Sequence, residues 1–367
     1  MAIVQPEKST ERERCVTMRT LVTGATGFIG RHVTRLLTTR LTDIRVLVRT
    51  GSPLQALEGL PVEVGYGDLR DPLSLRKALA GVQQVFHVAA DYRLWSKNPK
   101  EIYETNVAGT RSLIQASREA GVDRFIYTSS VATIAPPLQG QLSDESTETS
   151  LDQMIGHYKR SKFLAEREVL DAAAGGFPAV IVNPTMPVGP GDWKPTPTGR
   201  IIVDFLSGRM PAYVDTGFNV VAVEDVAEGH WLAAQRGRIG QRYILGNRNM
   251  TFKEVLDALS RVTGYAAPRI QVPHFLPLVA GYAESLFCSI VGREPRIPIE
   301  GVRMSRYKMF VDCSLARQEL GFRTSSVEEA LSRAAEWYIR NNYVLHKTTA
   351  GAVYDRPSAS VRHDGRS

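Results

Sequence analysis

Two side chains that could exchange a proton with a substrate stand four positions apart, at Tyr158 and Lys162. On a helix this spacing places both on one face, one turn apart, so that the lysine ammonium could act on the phenol. A free tyrosine titrates near pH 10, and a cation about 4 Å away, at an effective dielectric constant of about 20, would lower the pKa of the phenol by about three. The pair therefore predicts a phenol that acts as acid or base near neutral pH.

Two adjacent hydroxyl groups, those of Ser129 and Ser130, follow an apolar and aromatic run that predicts a β-strand. In an open α/β sheet, residues at the carboxyl end of a strand border the ligand-binding crevice. Either hydroxyl could hydrogen-bond the oxygen of a reacting carbonyl or carbinol. Because side chains alternate along a strand, only one of the two can point into the site, and the strand pattern leaves both candidates open.

A glycine-rich turn lies upstream, where Gly24, Gly27 and Gly30 follow a short apolar strand that ends at Thr23. Without side chains, these positions let a pyrophosphate, the turn and the neighbouring elements approach one another closely. The amino end of the next helix would face the phosphates with unpaired amides. The order of strand, glycine turn and apolar-periodic helix predicts a dinucleotide site formed by Gly24, Thr26, Gly27, Phe28, Ile29 and Gly30.

The end of the second predicted strand indicates the cofactor preference, because Arg49 stands where an NAD enzyme usually places an acid for the ribose. A guanidinium suits the 2′-phosphate of NADP, so NADP is favoured over NAD. Arg31 is a second candidate for that phosphate, and the alternative interpretation of Arg49 is a solvated strand-end residue. After the third strand, Asp68 and Leu69 are expected to flank the adenine, unless Asp68 only caps the following helix.

Small residues end the fourth predicted strand, where Ala89 and Ala90 would let a flat nicotinamide ring approach the backbone. His87 precedes them and has no motif partner, so a structural role is favoured over a catalytic one. The predicted site therefore extends from the glycine turn to the ends of the fourth and fifth strands.

Short β-branched runs alternate with helical patterns over residues 18–183, which is typical of βαβ units. We therefore expect an α/β protein in which residues 18–183 form a Rossmann-type, doubly wound parallel sheet. From Pro184 onward the alternation stops, and residues 184–345 are expected to form a smaller, mixed C-terminal substrate lobe interleaved with the Rossmann core. Polar composition predicts a flexible N-terminal extension (1–17) and a disordered tail (346–367). Strands are predicted near residues 19–23, 44–48, 62–65, 84–89, 124–129 and 178–183.

The composition disfavours several classes of protein. Basic residues exceed acidic ones by 45 to 38, a formal net charge of +7, but no basic run is interleaved with aromatic residues. A small anionic ligand is therefore favoured over nucleic acid. The three cysteines are far apart and lack metal-ligand spacing, so neither a disulfide framework nor a metal site is expected. The first residues lack the apolar run of a secretory signal, which indicates a cytoplasmic protein.

One apolar stretch, residues 272–291, approaches the length of a membrane span. It contains Pro273, His274, Pro277 and Glu284, which a lipid-facing helix tolerates poorly. A buried or interfacial helix is therefore favoured over a span. Peripheral association with the inner face of a membrane is kept as an alternative.

The chain resembles the extended short-chain dehydrogenase/reductase superfamily over roughly residues 18–345. The likeness rests on Gly24-Ala-Thr-Gly-Phe-Ile-Gly30, Asn106-Val-Ala-Gly-Thr110, Thr128-Ser-Ser130 and Tyr158-x-x-x-Lys162. Further runs look like those of the hopanoid-associated sugar epimerase family, which is itself similar to dihydroflavonol reductases. These runs are His87 to Trp95, Ile155 to Glu166 and Lys194 to Arg200.

This resemblance implies a catalytic triad of Ser130, Tyr158 and Lys162. In such a triad the lysine lowers the pKa of the tyrosine and binds the nicotinamide ribose. The resemblance also implies that Asn106 supports the active-site helix, and that a homodimer is built on the helices of Asn106 and Tyr158. The residues implied to contact the nicotinamide end are Pro184 and Thr185.

Residues and resemblance together predict NAD(P)-dependent hydride transfer at a carbinol or ketone carbon. An epimerase would use this step twice, on a sugar nucleotide or a hopanoid-linked sugar. A reductase similar to dihydroflavonol reductases would use it once, on a ketone or aldehyde. The alternative of another class is a redox-inactive NADP-binding sensor module, which the intact triad disfavours. The polar residues expected around the substrate, each with a plain surface charge as its alternative interpretation, are Asp91, Arg93 and Arg200.

Overall fold

Six short strands form where the sequence predicts them, each within two residues of the expected bounds. The computed structural model describes residues 18–137, 141–291 and 299–344; the predicted extension and tail lie outside them. Five of the strands are buried along nearly their whole length, as central parallel strands are, whereas the strand at residues 63–66, at the edge of the sheet, is partly exposed. The six strands are β1 (Thr20–Thr23), β2 (Ile44–Val48), β3 (Glu63–Tyr66), β4 (Gln84–His87), β5 (Arg124–Thr128) and β6 (Ala179–Pro184).

The central sheet is parallel and has a seventh strand that the sequence did not indicate. Chain order continues with β7 (Met186–Val188), β8 (Ala212–Tyr213), β9 (Gly217–Ala222) and β10 (Arg242–Leu245), and β10 pairs with β6. The spatial order is β10-β6-β5-β4-β1-β2-β3. The chain reverses its direction of travel between β1 and β4, and in such sheets ligands bind in the crevice at that switch point.

Helices cover both faces of the sheet. On one face, α1 (Phe28–Thr38) packs beside α7 (Val223–Arg236), with Val33, Leu37 and Val226 in the buried cluster. The opposite face is covered by α2 (Pro72–Ala78), α3 (Lys100–Tyr103), α4 (Gly109–Glu119) and α5 (Gly156–Ala174). Asp71 caps α2 and accepts a hydrogen bond from the amide of Leu73 at 3.0 Å. Both faces of the sheet are thus buried.

Part of the chain beyond β6 packs around a separate apolar cluster that includes Ile202, Val220, Leu256 and Leu331. A small sheet has the order β11-β9-β7, and β8 pairs with β12. The division into lobes at residue 184 stays a prediction. The elements of this part of the chain not yet given bounds are β11 (Arg248–Thr251), β12 (Ile270–Gln271), α6 (Pro197–Leu206), α8 (Phe252–Thr263), α9 (Phe275–Val291), α10 (Ile299–Met304) and α11 (Val327–Arg340).

Helix α9 occupies the apolar stretch that the sequence analysis singled out. It has 17 residues. Within the described ranges, none of the helices combines the length and the apolar character that a membrane crossing requires.

Candidate active site

The glycine turn between β1 and α1 leaves no space for a side chain at Gly24 or at Gly30. Gly24 has a φ of +73°, and a Cβ added there would lie 2.5 Å from the amide nitrogen of Ala89. A Cβ on Gly30 would lie 2.0 Å from the carbonyl oxygen of Gly24. The amide of Gly27 donates to that same oxygen at 2.9 Å and closes the turn. Helix and strand thereby approach as closely as the glycine motif predicts.

The amino end of α1 is suited to an anion. Gly27 is its N-cap and is exposed, and no described side chain hydrogen-bonds the first amides as a cap. The first turn carries no acidic residue. Phe28 and Ile29 are half-buried, Phe28 against His32 and Ile29 against the core, and Thr26 is half-buried in the turn. These features fit the pyrophosphate of a dinucleotide.

A groove of about 870 Å³ lies beside the ends of β2 and β3, lined in part by Arg49, Asp68 and Arg70. Arg70 holds Asp68 through two hydrogen bonds of 2.9 and 2.8 Å. This bond, helped by the charge of Arg49, lowers the pKa of Asp68 to about 2 against the opposing effect of burial. Arg49 is exposed. The groove thus offers cations at the position predicted for the adenosine end.

Asp68 and Leu69 differ in what they present to this groove. The helix cap considered for Asp68 belongs to Asp71 instead, and the Asp68 carboxylate is occupied by Arg70. The side chain of Leu69 is buried in the core beneath Gly109, where an added Cβ would lie 2.8 Å from the Leu69 Cβ. The expected adenine contact of Leu69 therefore concerns its main chain.

The end of β4 is arranged around a buried histidine. His87 contacts Thr23 Oγ1 at 2.8 Å and Thr110 Oγ1 at 2.9 Å through its two ring nitrogens. Burial, with a smaller effect of the Lys162 charge, lowers the pKa of His87 to about 3, so that the ring is neutral. His87 is structural, as predicted. Ala89 directly follows and donates its amide to Thr23 Oγ1 at 3.3 Å.

Ala90 and Thr185 border the crevice from two different strands. Ala90 is half-buried just beyond β4. At the end of β6, Pro184 pairs with Leu245 in the sheet, and the Thr185 hydroxyl donates to Asn219 Oδ1 at 3.1 Å. Ala90, Pro184 and Thr185 therefore lie at the carboxyl edge of the sheet, where their predicted nicotinamide contacts require them.

The first turns of α5 bring Tyr158 to Ser130. The Ser130 hydroxyl lies close enough to the Tyr158 phenol to lower its pKa, and it accepts a hydrogen bond from the amide of Ala132 at 3.1 Å. Ser129 is 5% exposed, and its hydroxyl has no hydrogen-bond partner among the residues that the structure describes. Ser130 is therefore the hydroxyl that shares the site with Tyr158, while Ser129 points into the protein.

Lys162 lies one turn further along α5 but binds other groups. Its Nζ donates to Tyr127 OH at 2.9 Å and to the carbonyl oxygen of Thr128 at 2.8 Å. Burial raises the pKa of Tyr158, and only the hydrogen bond to Ser130 opposes that rise. The expectation that Lys162 lowers the pKa of Tyr158 is therefore wrong for this structure. Tyr158 and Lys162 do lie one turn apart on α5, but the Lys162 ammonium donates its hydrogen bond to Tyr127 instead of Tyr158.

Burial also changes the charge state of the lysine itself. It lowers the pKa of Lys162 to about 7, and the negative charge of Glu166 partly offsets this effect. At neutral pH, Lys162 is therefore near the midpoint of its titration between the ammonium and the neutral amine.

Asn106 braces the site from a π-helical turn between α3 and α4. Its Nδ2 donates to the carbonyl oxygen of Asp91 and to Ser161 Oγ, both at 2.9 Å. The amide of Asp91 donates to Asn106 Oδ1 at 2.7 Å. These bonds join the loop after β4 to α5, which is the supporting role that the resemblance implies.

The predicted substrate residues divide into a pair and a single cation. Asp91 and Arg93 bind each other at 2.6 Å, and Arg93 also reaches Glu101 at 3.0 Å, so their charges are largely compensated. Arg200 is exposed on α6, where its positive charge acts on the phenol of Tyr92. Arg200 differs from Asp91 and Arg93, because its charge has no ion-pair partner among the described residues.

Helix α10 forms one side of the site, which the sequence analysis did not predict. Glu300 accepts a hydrogen bond from the amide of His157 at 3.3 Å, at the amino end of α5. A Cβ on Gly156, whose φ is +83°, would lie 2.0 Å from Glu300 Oε2. A Cβ on Gly301 would lie 3.9 Å from Leu94. The mouth of the site is therefore bordered by α10, the start of α5 and the loop after β4.

Comparison with known proteins agrees with this geometry. The family model described as the NAD dependent epimerase/dehydratase family matches residues 20–246. A protein named putative dihydroflavonol 4-reductase, from Synechocystis sp., is 46% identical over 327 residues, which are 88% of this chain and 95% of that protein. Sterol demethylase protein B from Methylococcus capsulatus is 36% identical and covers 88% of this chain and 98% of its own length.

A solved structure shares the whole architecture. The crystal structure of gox2253 superposes with a TM-score of 0.80 at 44% identity, and the match covers 89% of this chain and 99% of that chain. The family match, these relatives and the arrangement of Ser130, Tyr158 and Lys162 agree with one another. The chain belongs to the NAD-dependent epimerase/dehydratase family and is an NAD(P)-dependent enzyme of the extended short-chain dehydrogenase/reductase type.

Proposed function

We propose that this enzyme reduces a ketone to a carbinol, with NADP as its preferred cofactor. The observation that carries the proposal is the position of the Ser130 hydroxyl next to the Tyr158 phenol, at the crevice beside the glycine turn. Ser130 orients the substrate oxygen, and Tyr158 transfers a proton to it. The nicotinamide, when bound, supplies the hydride. Lys162 would hold the ribose.

The charge state of Tyr158 favours reduction over epimerisation. Its pKa lies above the ordinary value, so the phenol keeps its proton at neutral pH and is ready to act as an acid. Reduction needs that acid at once, whereas epimerisation must first remove a proton from a carbinol. Reductive turnover should therefore fall as the pH rises, first as Lys162 loses its proton around pH 7 and again through the pKa of Tyr158.

The nucleotide that copurifies with the protein separates the two reactions. An epimerase recycles its cofactor and usually retains NAD, whereas a reductase exchanges its cofactor at each turnover. Heat-released nucleotide is measured by chromatography on protein purified without added cofactor. We expect little nucleotide and a NADPH affinity measurable by titration. Stoichiometric, tightly held NAD would contradict the proposal and favour epimerisation of a sugar nucleotide or a hopanoid-linked sugar.

The preference for NADP is proposed from Arg49 and the adjacent groove. Arg49→Asp is expected to weaken NADPH binding by about 10- to 100-fold, because a cation for the 2′-phosphate becomes an anion. NADH binding should be unchanged or stronger. Titration of both cofactors against each protein measures the ratio, and Arg76→Asp, at an exposed ion pair with Glu119, is the control. An unchanged ratio would remove Arg49 from the cofactor site.

The substrate is proposed to be a lipophilic polycyclic ketone or alcohol. The relatives at 46% and 36% identity are named for a dihydroflavonol and a sterol. Helix α9 carries an exposed apolar face that leads towards the mouth of the site through α10. Its members are Phe275, Leu276, Val279 and Tyr282, and Phe275 and Val279 are 59% and 64% exposed.

That face is proposed to rest on an anionic membrane surface at the inner side of the membrane. Arg303 bonds the hydroxyl of Tyr282, and His274 contacts the carbonyl oxygen of Ser305 at 3.0 Å, which brings Arg303 and Arg306 beside α9. Exposed aromatic and aliphatic residues flanked by arginines are typical of interfacial helices. An interfacial position would give the enzyme access to a substrate dissolved in lipid. The homodimer built on the helices of Asn106 and Tyr158 also belongs to this proposal, and light scattering measures it.

Vesicle flotation tests the membrane contact. We expect the protein to float with vesicles rich in phosphatidylglycerol and to float less with phosphatidylcholine, because the arginines favour anionic lipid. Leu276→Asp combined with Val279→Asp should abolish flotation, whereas Ile239→Asp, which changes an exposed apolar residue elsewhere, should not. Equal flotation of all variants, or none by the wild type, would refute the contact.

A further inference from the structure

Glu166 is a buried carboxylate next to the catalytic groups. It lies on α5 one turn beyond Lys162 and is 1% exposed. A buried carboxylate is strongly unfavourable unless it is paired and hydrogen-bonded. Glu166 Oε2 accepts Thr133 Oγ1 at 2.9 Å and Asn183 Nδ2 at 2.8 Å, and Oε1 pairs with Arg242 at 3.2 Å. Hydrogen bonds and an ion pair from three separate parts of the fold thus compensate the negative charge of Glu166.

The same partners hold the Ser130 turn. Thr133 Oγ1 donates to the carbonyl oxygen of Ser130 at 2.8 Å, and Asn183 Nδ2 reaches that oxygen at 3.1 Å. Both groups therefore connect Glu166 to the backbone that carries the Ser130 hydroxyl. Because the Thr133 hydroxyl has a single proton, Glu166 Oε2 and the Ser130 carbonyl oxygen share it, so a shift of the carboxylate would rearrange the groups that hold this turn.

Glu166 also acts on Lys162 by its charge. The other titratable groups around the lysine are Tyr127, which accepts its hydrogen bond, Tyr158 on the same helix and the neutral His87. Against the desolvation that favours a neutral amine, the negative charge of Glu166 favours the ammonium. One carboxylate is thereby coupled to both the serine and the lysine of the site.

We propose that Glu166 is a positioning residue that fixes the Ser130 turn and places a negative charge one helical turn from Lys162. It needs no contact with substrate to do so. This inference rests on the proposed function only for the roles of Ser130 and Lys162 in turnover. The charge of Lys162 can be measured without any substrate, so the two claims can fail separately.

The test uses Glu166→Gln, which keeps the shape of the side chain and removes its charge. The ε-carbon resonance of Lys162 is followed by NMR against pH in protein labelled with [ε-¹³C]lysine and assigned with Lys162→Arg. We expect its titration midpoint to move to lower pH by about one unit or more, because a nearby anion is lost. Glu168→Gln, which changes a partly exposed carboxylate on the same helix that pairs with Arg111, should leave the midpoint unchanged.

Thr133→Val tests the other half of the proposal and covers the case in which Glu166→Gln does not fold. It removes a hydroxyl that bonds both Glu166 and Ser130 but changes no charge. We expect kcat to fall about tenfold or more, with the Lys162 midpoint unchanged. An unaltered kcat in Thr133→Val, or an unaltered midpoint in folded Glu166→Gln, would overturn the proposal. Wild-type protein that binds no nicotinamide cofactor would instead refute the proposed function.

Discussion

Tyr158→Phe is expected to lower kcat for ketone reduction by about 10²- to 10⁴-fold, the range typical of a lost general acid. The ring and its packing remain, and only the proton donor beside Ser130 is removed. The dissociation constant for NADPH should change by no more than about threefold, since Tyr158 is not among the groups proposed to hold the phosphates. Steady-state kinetics and a cofactor titration measure the two effects separately.

Tyr103→Phe is the matched control. Tyr103 lies near the start of α5, where its hydroxyl contacts His157 at 3.1 Å, but it does not reach Ser130. Its loss should leave kcat within about twofold, as expected for an exposed hydrogen bond. Similar losses in both variants, or full activity in Tyr158→Phe, would show that the acid lies elsewhere.

Gly30→Ala is expected to abolish cofactor binding and to lower the free energy of unfolding by about 3 kcal/mol or more. The added Cβ would lie 2.0 Å from the Gly24 carbonyl oxygen, so α1 must move away from the turn. Overpacking of this kind costs roughly 1–3 kcal/mol where side chains can yield, and here the obstacle is backbone. Denaturant unfolding and NADPH titration measure the two effects.

Gly65→Ala in β3 provides the comparison. Its Cβ would find its nearest neighbour at 3.7 Å, an ordinary contact distance, and its φ is not positive. We expect its stability and its NADPH affinity to stay close to those of the wild type. If Gly30→Ala bound NADPH as well as Gly65→Ala does, the cofactor could not lie in the glycine turn.

The sheet and the catalytic candidates could be predicted because their signals are local. All of β1 to β6 except β3 are largely apolar runs bounded by turns or helices, and the glycine turn and the pair of Tyr158 and Lys162 are fixed spacings along short segments. The sequence analysis did not predict β10, because a run of four residues is too short to show a periodic pattern. Its place beside β6 depends on tertiary packing alone.

The error about Lys162 has the same origin. Helix geometry predicts that Tyr158 and Lys162 share a face, but it does not show which neighbour the flexible ammonium contacts. Tyr127 comes from β5, some thirty-five positions away, and its hydroxyl accepts the hydrogen bond. The choice between Ser129 and Ser130 likewise needed the position of α5. Glu166 stands four residues after Lys162, and this spacing was the one signal that could have identified it.

Transfer of deuterium from the nicotinamide to a ketone tests the central claim most directly. The wild type and Tyr158→Phe are incubated with NADPH deuterated at one or the other face of C4, and with a panel of polycyclic ketones. We predict deuterium on the new carbinol carbon from one face only with the wild type, and none above background with Tyr158→Phe. Bound NADPH without transfer from either face, or equal transfer by both proteins, would contradict the account.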